Sequence, residues 1–290
     1  MPAEWICPDT TRRFYTGALP TPRNRLLAAP AFVAPPTAPP VSVAYVPKAR
    51  SMFGNDRYGD CVSAEEAFAK TCVNPELESQ IDQLSTVCIA WARSHGVLNG
   101  ASLDEVLDWM YEKGYQMGAQ LYNDGRKLGV DYEDIEILKA AIAQGPVKLA
   151  IGAGALPGGA GSRDGHYALT SRNYSSDHST TLCGYGSVEF CYDALKLPVP
   201  SAIPPGTFGF LHYTWSTIGF FTHAWVIGAS DEAWVRQPTT IGIPPLVPPT
   251  PPPTPPPTPP GPAPVDYPVL VIDKPIIPGK RYVLVEQFGQ

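Results

Sequence analysis

Residues 54–61 read Gly-Asn-Asp-Arg-Tyr-Gly-Asp-Cys, a polar, glycine-punctuated loop that feeds straight into a helical pattern starting at Cys61. A cysteine at a helix N-terminus meets the positive end of the macrodipole and unpaired backbone N–H groups. Both favour the thiolate over a thiol that ordinarily titrates near ~8.5. A lone cysteine is more often a small buried apolar residue, but the polar loop ahead of Cys61 favours a nucleophile. Such a nucleophile needs a base. Among the five histidines, His178 opens a β-prone run from Asp177 through Gly186 and so stands at the mouth of a strand; His166, in Asp164-Gly165-His166-Tyr167, is its rival. His95, His212 and His223 read as ordinary surface or core residues. The chemistry in view is acyl transfer through a Cys61 thioester, which calls for an exposed, readily alkylated thiol.

Other candidates carry less. Residues 152–162 are glycine-rich but lack the Gly-Lys-Ser/Thr ending of a phosphate loop, and read as a mobile loop near the cleft. Glu65-Glu66 and Asp104 with Asp108 read as solvated charges on helix faces, and the aromatics over 109–122 as core. Six cysteines with no C-x-x-C pair suggest neither a disulfide framework nor a zinc site, and no cofactor is expected. Cys183 and Cys191 could face each other across a hairpin.

The elements that must hold these residues fall into two textures. Helical periodicity covers 61–73, 81–94, a stretch entered by a Ser102 capping box, and 131–143, which Gly145-Pro146 stops. Short β-prone runs follow at 147–151, 180–184, 188–192, 208–213 and 233–236. Helices first and strands second predict an α+β fold, a helical half packed on an antiparallel β half.

Around this body, residues 1–52 form a proline-containing arm that is either extended along the body or disordered. The body spans 53–243; a proline–threonine tract over 244–264 reads as a polyproline strut, and 265–290 as a β-hairpin tail that needs a dock. A net charge of -6 gives no nucleic-acid footprint, and no apolar run is long enough for a membrane helix. The first 19 residues lack an apolar signal core, so the expectation is cytoplasmic synthesis without a signal peptide.

Several of these marks, in this order, resemble papain-like cysteine peptidases. Asn55 lies six residues before Cys61, where that family carries its oxyanion glutamine; residues 145–151, the Asp177-His178…Gly184-Tyr185-Gly186 run and Phe210 through Trp215 resemble successive family strands. The G-N-D-x-Y-G-D-C motif, Thr214-Trp215 and Asp231-Glu232-Ala233-Trp234 are similar to papain-like proteins of phage and bacterial genomes. The resemblance implies Cys61 as nucleophile, His178 as base and Asn55 as oxyanion donor, acting on a peptide or other amide. It departs in three places. Val62 replaces an aromatic residue, and Ser216 replaces a glycine. The asparagine that orients the histidine falls on Tyr213, with Thr214 as the neighbouring substitute. An inactive papain-fold protein, such as a virion component docked by residues 265–290 to a protein partner, is the alternative the same sequence supports.

Overall fold

The computed structural model describes residues 3–172 and 175–236; the proline tract and the tail lie outside them. A hairpin of β1 (Ala3–Ile6) and β2 (Arg13–Thr16) opens the chain, followed by β3 (Ala18–Leu19), the short helix α1 (Arg23–Ala28) and β4 (Val43–Ala44). The helical half holds α2 (Cys61–Val73), α3 (Ile81–Ser94), β5 (Ala101–Ser102), α4 (Leu103–Glu112), β6 (Tyr115–Met117) and β7 (Gln120–Tyr122). The β half holds β8 (Lys127–Gly129), α5 (Ile135–Ile142), β9 (Val147–Ile151), β10 (Tyr167–Ala168), β11 (His178–Ser187) and α6 (Val188–Leu195). It closes with β12 (Phe208–Thr214), β13 (Thr217–Phe221), α7 (His223–Ala229) and β14 (Ser230–Arg236).

The large sheet runs β10-β13-β12-β11-β9-β14-β8, with β4 added against β11. Its pairs are antiparallel except β10 with β13. Both faces are buried, because successive side chains point to opposite sides of a strand. Cys183, Leu211, Phe220 and Trp234 join Phe68, Leu84, Trp91 and Leu107 of the helical half. Their neighbours Leu182, Phe210, Phe221 and Val235 join Leu138, Ile142 and Trp225 on the other face. Each such large apolar side chain contributes roughly 1.5–3 kcal/mol on burial. An α+β layering of helices on an antiparallel sheet is therefore what the pattern dictates and what forms.

Several local expectations need correction. Residues 188–192 are helical: the Ser187 hydroxyl caps α6 by accepting from Phe190 N–H, which overrides the β-prone Val-Phe-Cys-Tyr composition. Cys191 thus sits on a helix rather than across a hairpin from Cys183, and both thiols are free. Helix α5 starts late, since Asp131 ties up the N–H groups of Glu133 and Asp134 in a turn while Asp134 makes the cap. Ser102 precedes α4 without capping it through its side chain. The glycine-rich stretch is packed in place: Gly161 N–H donates to Thr217 Oγ1 and Ala160 is buried.

Candidate active site

Helix α2 is enclosed almost all round, with every residue from Cys61 to Thr71 buried. The loop before it turns at Gly54, φ +104°, where a Cβ would lie 2.7 Å from both Asp60 Oδ2 and Ile89 Cγ1. The Asp60 carbonyl accepts the Ser63 and Ala64 N–H groups at 3.0 and 2.9 Å, so the helix begins at the cysteine. Cys61 is 1% exposed, against the sequence expectation of an open thiol. Burial pushes the thiol up to about 12, although the nearby backbones of Ser179 and Gly17 work the other way. The Asp60 carboxyl beside it is buried with neither oxygen partnered among the described residues, and burial holds its pKa well above the ordinary range.

Ser179, whose backbone lies near the thiol, is the second residue of β11 and follows His178. His178 is buried under Trp215, ring centroids 4.2 Å apart and planes 21° apart. Its Nε2 lies 2.8 Å from Thr214 Oγ1, and its Nδ1 has no hydrogen-bond partner among the described residues. Burial alone drives this imidazole down to about 3. Thiol and imidazole are thus both neutral, and the proton stays on sulfur. Thr214 takes the position beside the ring that Tyr213 cannot: the Tyr213 side chain points to the opposite face, stacks on Phe68 and donates to Ser51 C=O at 2.7 Å. A hydroxyl both donates and accepts, so Thr214 holds the ring without dictating which nitrogen carries the proton, as an amide oxygen would.

Asn55 is also buried, and its Nδ2 donates to the Tyr58 carbonyl at 2.9 Å and the Tyr15 carbonyl at 3.0 Å. The second acceptor belongs to the N-terminal arm, which covers the whole site. Trp215 Nε1 donates to the same Tyr15 carbonyl at 3.4 Å. Thr16 Oγ1 lies 3.5 Å from Asp177 Oδ2, Ala18 N–H donates to Asp177 C=O at 2.9 Å, and Ala101 N–H donates to Gly17 C=O at 2.9 Å. Outside this strand, Trp5 and Phe14 stack on Trp215 with centroids 4.9 and 4.7 Å away. The result is a layered cover of arm aromatics, Trp215 and then His178. Nothing in the spacing of residues 1–20 signals it.

A second buried assembly fixes α2 to the sheet. Lys148 of β9 donates to Glu66 Oε1 at 2.6 Å, to Glu65 and to the Val62 carbonyl at 2.8 Å. Arg236 of β14 forks onto the same two carboxylates at 2.7–2.9 Å. Thr181 of β11 donates to Glu65, and Lys70 pairs with Asp124 at 2.6 Å. Glu65 and Glu66 are therefore 1% and 0% exposed rather than solvated. Asp104 is buried too, held by Thr21 and Arg25, while Asp108 stays half-exposed. The two cations hold the Glu66 carboxyl well below its usual range despite full burial.

The rival histidines lack the setting of His178. His166 is buried, with Nδ1 2.9 Å from Arg163 C=O, and His212 Nε2 lies 2.9 Å from Thr180 Oγ1; burial depresses both. Each has one unpartnered ring nitrogen among the described residues, as His178 does. Of the three, only His178 is next in sequence to Ser179, whose backbone lies near the Cys61 thiol.

Xylellain, a cysteine protease from Xylella fastidiosa, superposes with TM-score 0.52 over 82% of this chain and 99% of its own, at 12% identity. The fold is papain-like. Procathepsin L 3 of Tenebrio molitor larval midgut (TM-score 0.47, 16% identity, 71% of this chain and 73% of that one) and the proform of the ragweed pollen protease Amb a 11 (0.46, 15%, 73% and 70%) overlap less closely. No family model and no curated protein sequence matches the chain. Within this frame Cys61 opens a helix of the helical half and His178 opens a strand of the sheet half. No helix among the described residues is long and apolar enough to cross a membrane.

Proposed function

We propose that the chain is a thiol-dependent hydrolase of peptide or other amide bonds, held latent by its own residues 5–19. The carrying observation is that Thr214 already holds His178 Nε2 and leaves Nδ1 without a partner among the described residues, on the residue that precedes Ser179, whose backbone lies near the Cys61 thiol. With the arm withdrawn, water enters and the burial that suppresses both ionisations is relieved. His178 then takes the Cys61 proton and sulfur attacks the substrate carbonyl carbon. The oxyanion faces Cys61 N–H and Asn55 Nδ2, the donor now turned to the Tyr15 carbonyl. The imidazolium passes its proton to the leaving nitrogen as the C–N bond breaks. His178 then deprotonates a water that hydrolyses the thioester, and the proton returns to sulfur.

A peptide library incubated with an arm-loosened form should give cleavage products that vanish in Cys61→Ala; products that persist unchanged would exclude the mechanism. Thr214→Val should lower kcat by about 10–100-fold with little change in KM, while Thr214→Ser retains most activity. Equal losses in the two variants would show that Thr214 serves packing rather than the imidazole.

A second reading is an inactive papain-fold scaffold, favoured by the neutral thiol and imidazole and by the hydroxyl where an amide would fix the tautomer. Its assembly role, in a virion or elsewhere, is supported by the sequence resemblance alone. In that case Cys61 stays unreactive however the arm is loosened.

A further inference from the structure

The arm runs through β2 and β3, and at Gly17 between them it is closely enclosed by backbone. A Cβ on Gly17 would overlap the Gly59 carbonyl oxygen and come within 3.1 Å of Gly100 Cα. The opposite wall is equally bare: a Cβ on Gly100 would lie 2.7 Å from the Gly17 carbonyl oxygen, and Gly100 itself sits at φ +127°. Both walls are backbone, so neither can swing aside as a side chain could. The next residue, Ala18, is 5% exposed, with its N–H held by the Asp177 carbonyl. The Tyr15 carbonyl before it takes the Asn55 and Trp215 donors. The slot therefore binds main chain on both sides of a position that has no room for a side chain.

We infer that the cleft selects extended peptides carrying glycine at this position with an alanine-sized residue after it, the segment Tyr15–Leu19 being the built-in example. This deepens the hydrolase reading and rests on it for turnover, but not for binding. Competition decides it. In the full-length Gly17→Ala protein, the arm should leave the slot and iodoacetamide labelling of Cys61 should rise at least about tenfold. The peptide Tyr-Thr-Gly-Ala-Leu added to this variant should restore protection, and Tyr-Thr-Ala-Ala-Leu should need at least about tenfold more for the same effect. If Gly17→Ala does not fold, the same two peptides are compared on the Trp5→Ala, Phe14→Ala protein. Equal protection by both peptides, or unchanged labelling in Gly17→Ala, overturns the inference. Protection by the glycine peptide with no cleavage of any peptide supports the slot and removes the hydrolase reading. Cleavage of both peptides at equal rates does the reverse.

Discussion

Lys148→Met is expected to cost about 3–5 kcal/mol of stability, a large fraction of a marginal total. The substitution keeps the aliphatic stem and removes the ammonium that lies against Glu65, Glu66 and the Val62 carbonyl. Among the described residues, Arg236 is then the remaining cation hydrogen-bonded to two carboxylates that are 1% and 0% exposed. A buried charge stripped of its partner carries a desolvation penalty that nothing offsets. Urea unfolding followed by tryptophan fluorescence measures it, and a loss under about 1 kcal/mol would mean that water or Arg236 compensates. Adding Glu66→Gln to Lys148→Met should recover part of the loss, because it removes the stranded charge rather than the packing. Non-additivity of this kind separates an electrostatic assembly from four side chains that merely share a space.

That assembly also marks where the sequence stopped being readable. Cys61–Val73 and Ile81–Ser94 are helices because their apolar spacing and good helix formers say so locally, and His178 does open a strand. Glu66 and Lys70, by contrast, stand at i,i+4 spacing, the usual mark of a solvated surface pair. Lys70 instead pairs with Asp124, and the partners of Glu65 arrive from 83 and 171 residues downstream. No local pattern encodes such distances. The same holds for the arm: Trp5, Phe14 and Gly17 matter because of what they meet at Trp215, Gly59 and Gly100, and their own neighbours in sequence carry no sign of it. The resemblance singled out Asn55 as an amide donor near the cysteine, but neither its burial nor its present acceptor on the arm was legible.

The double replacement Trp5→Ala, Phe14→Ala should raise the alkylation rate of Cys61 by about a thousandfold near pH 7.5. Those two rings stack on Trp215, which in turn covers His178, so their removal takes the outer layer off the site. The closed thiol, pushed up to about 12, has almost no thiolate at that pH. A hydrated cysteine near ~8.5 has roughly a tenth. The sign is fixed by the cause: burial raised the pKa, so hydration lowers it. Mass spectrometry of the labelled peptide distinguishes Cys61 from the five other cysteines. A rate within a factor of a few of the parent, in a protein whose circular dichroism is unchanged, would mean that the arm is a permanent wall rather than a cover.

The position of Arg236 has a consequence for the order of events on the ribosome. Strand β14 is the last described element to be made, yet its Arg236 supplies one of the two cations that seat Glu65 and Glu66. Until it emerges, Lys148 is the one cation among the described residues hydrogen-bonded to Glu65 and Glu66, and the seating of the helix on the sheet is incomplete. The covering arm, by contrast, is synthesised first. The last charge that seats the helix bearing Cys61 therefore arrives after the arm that packs around it.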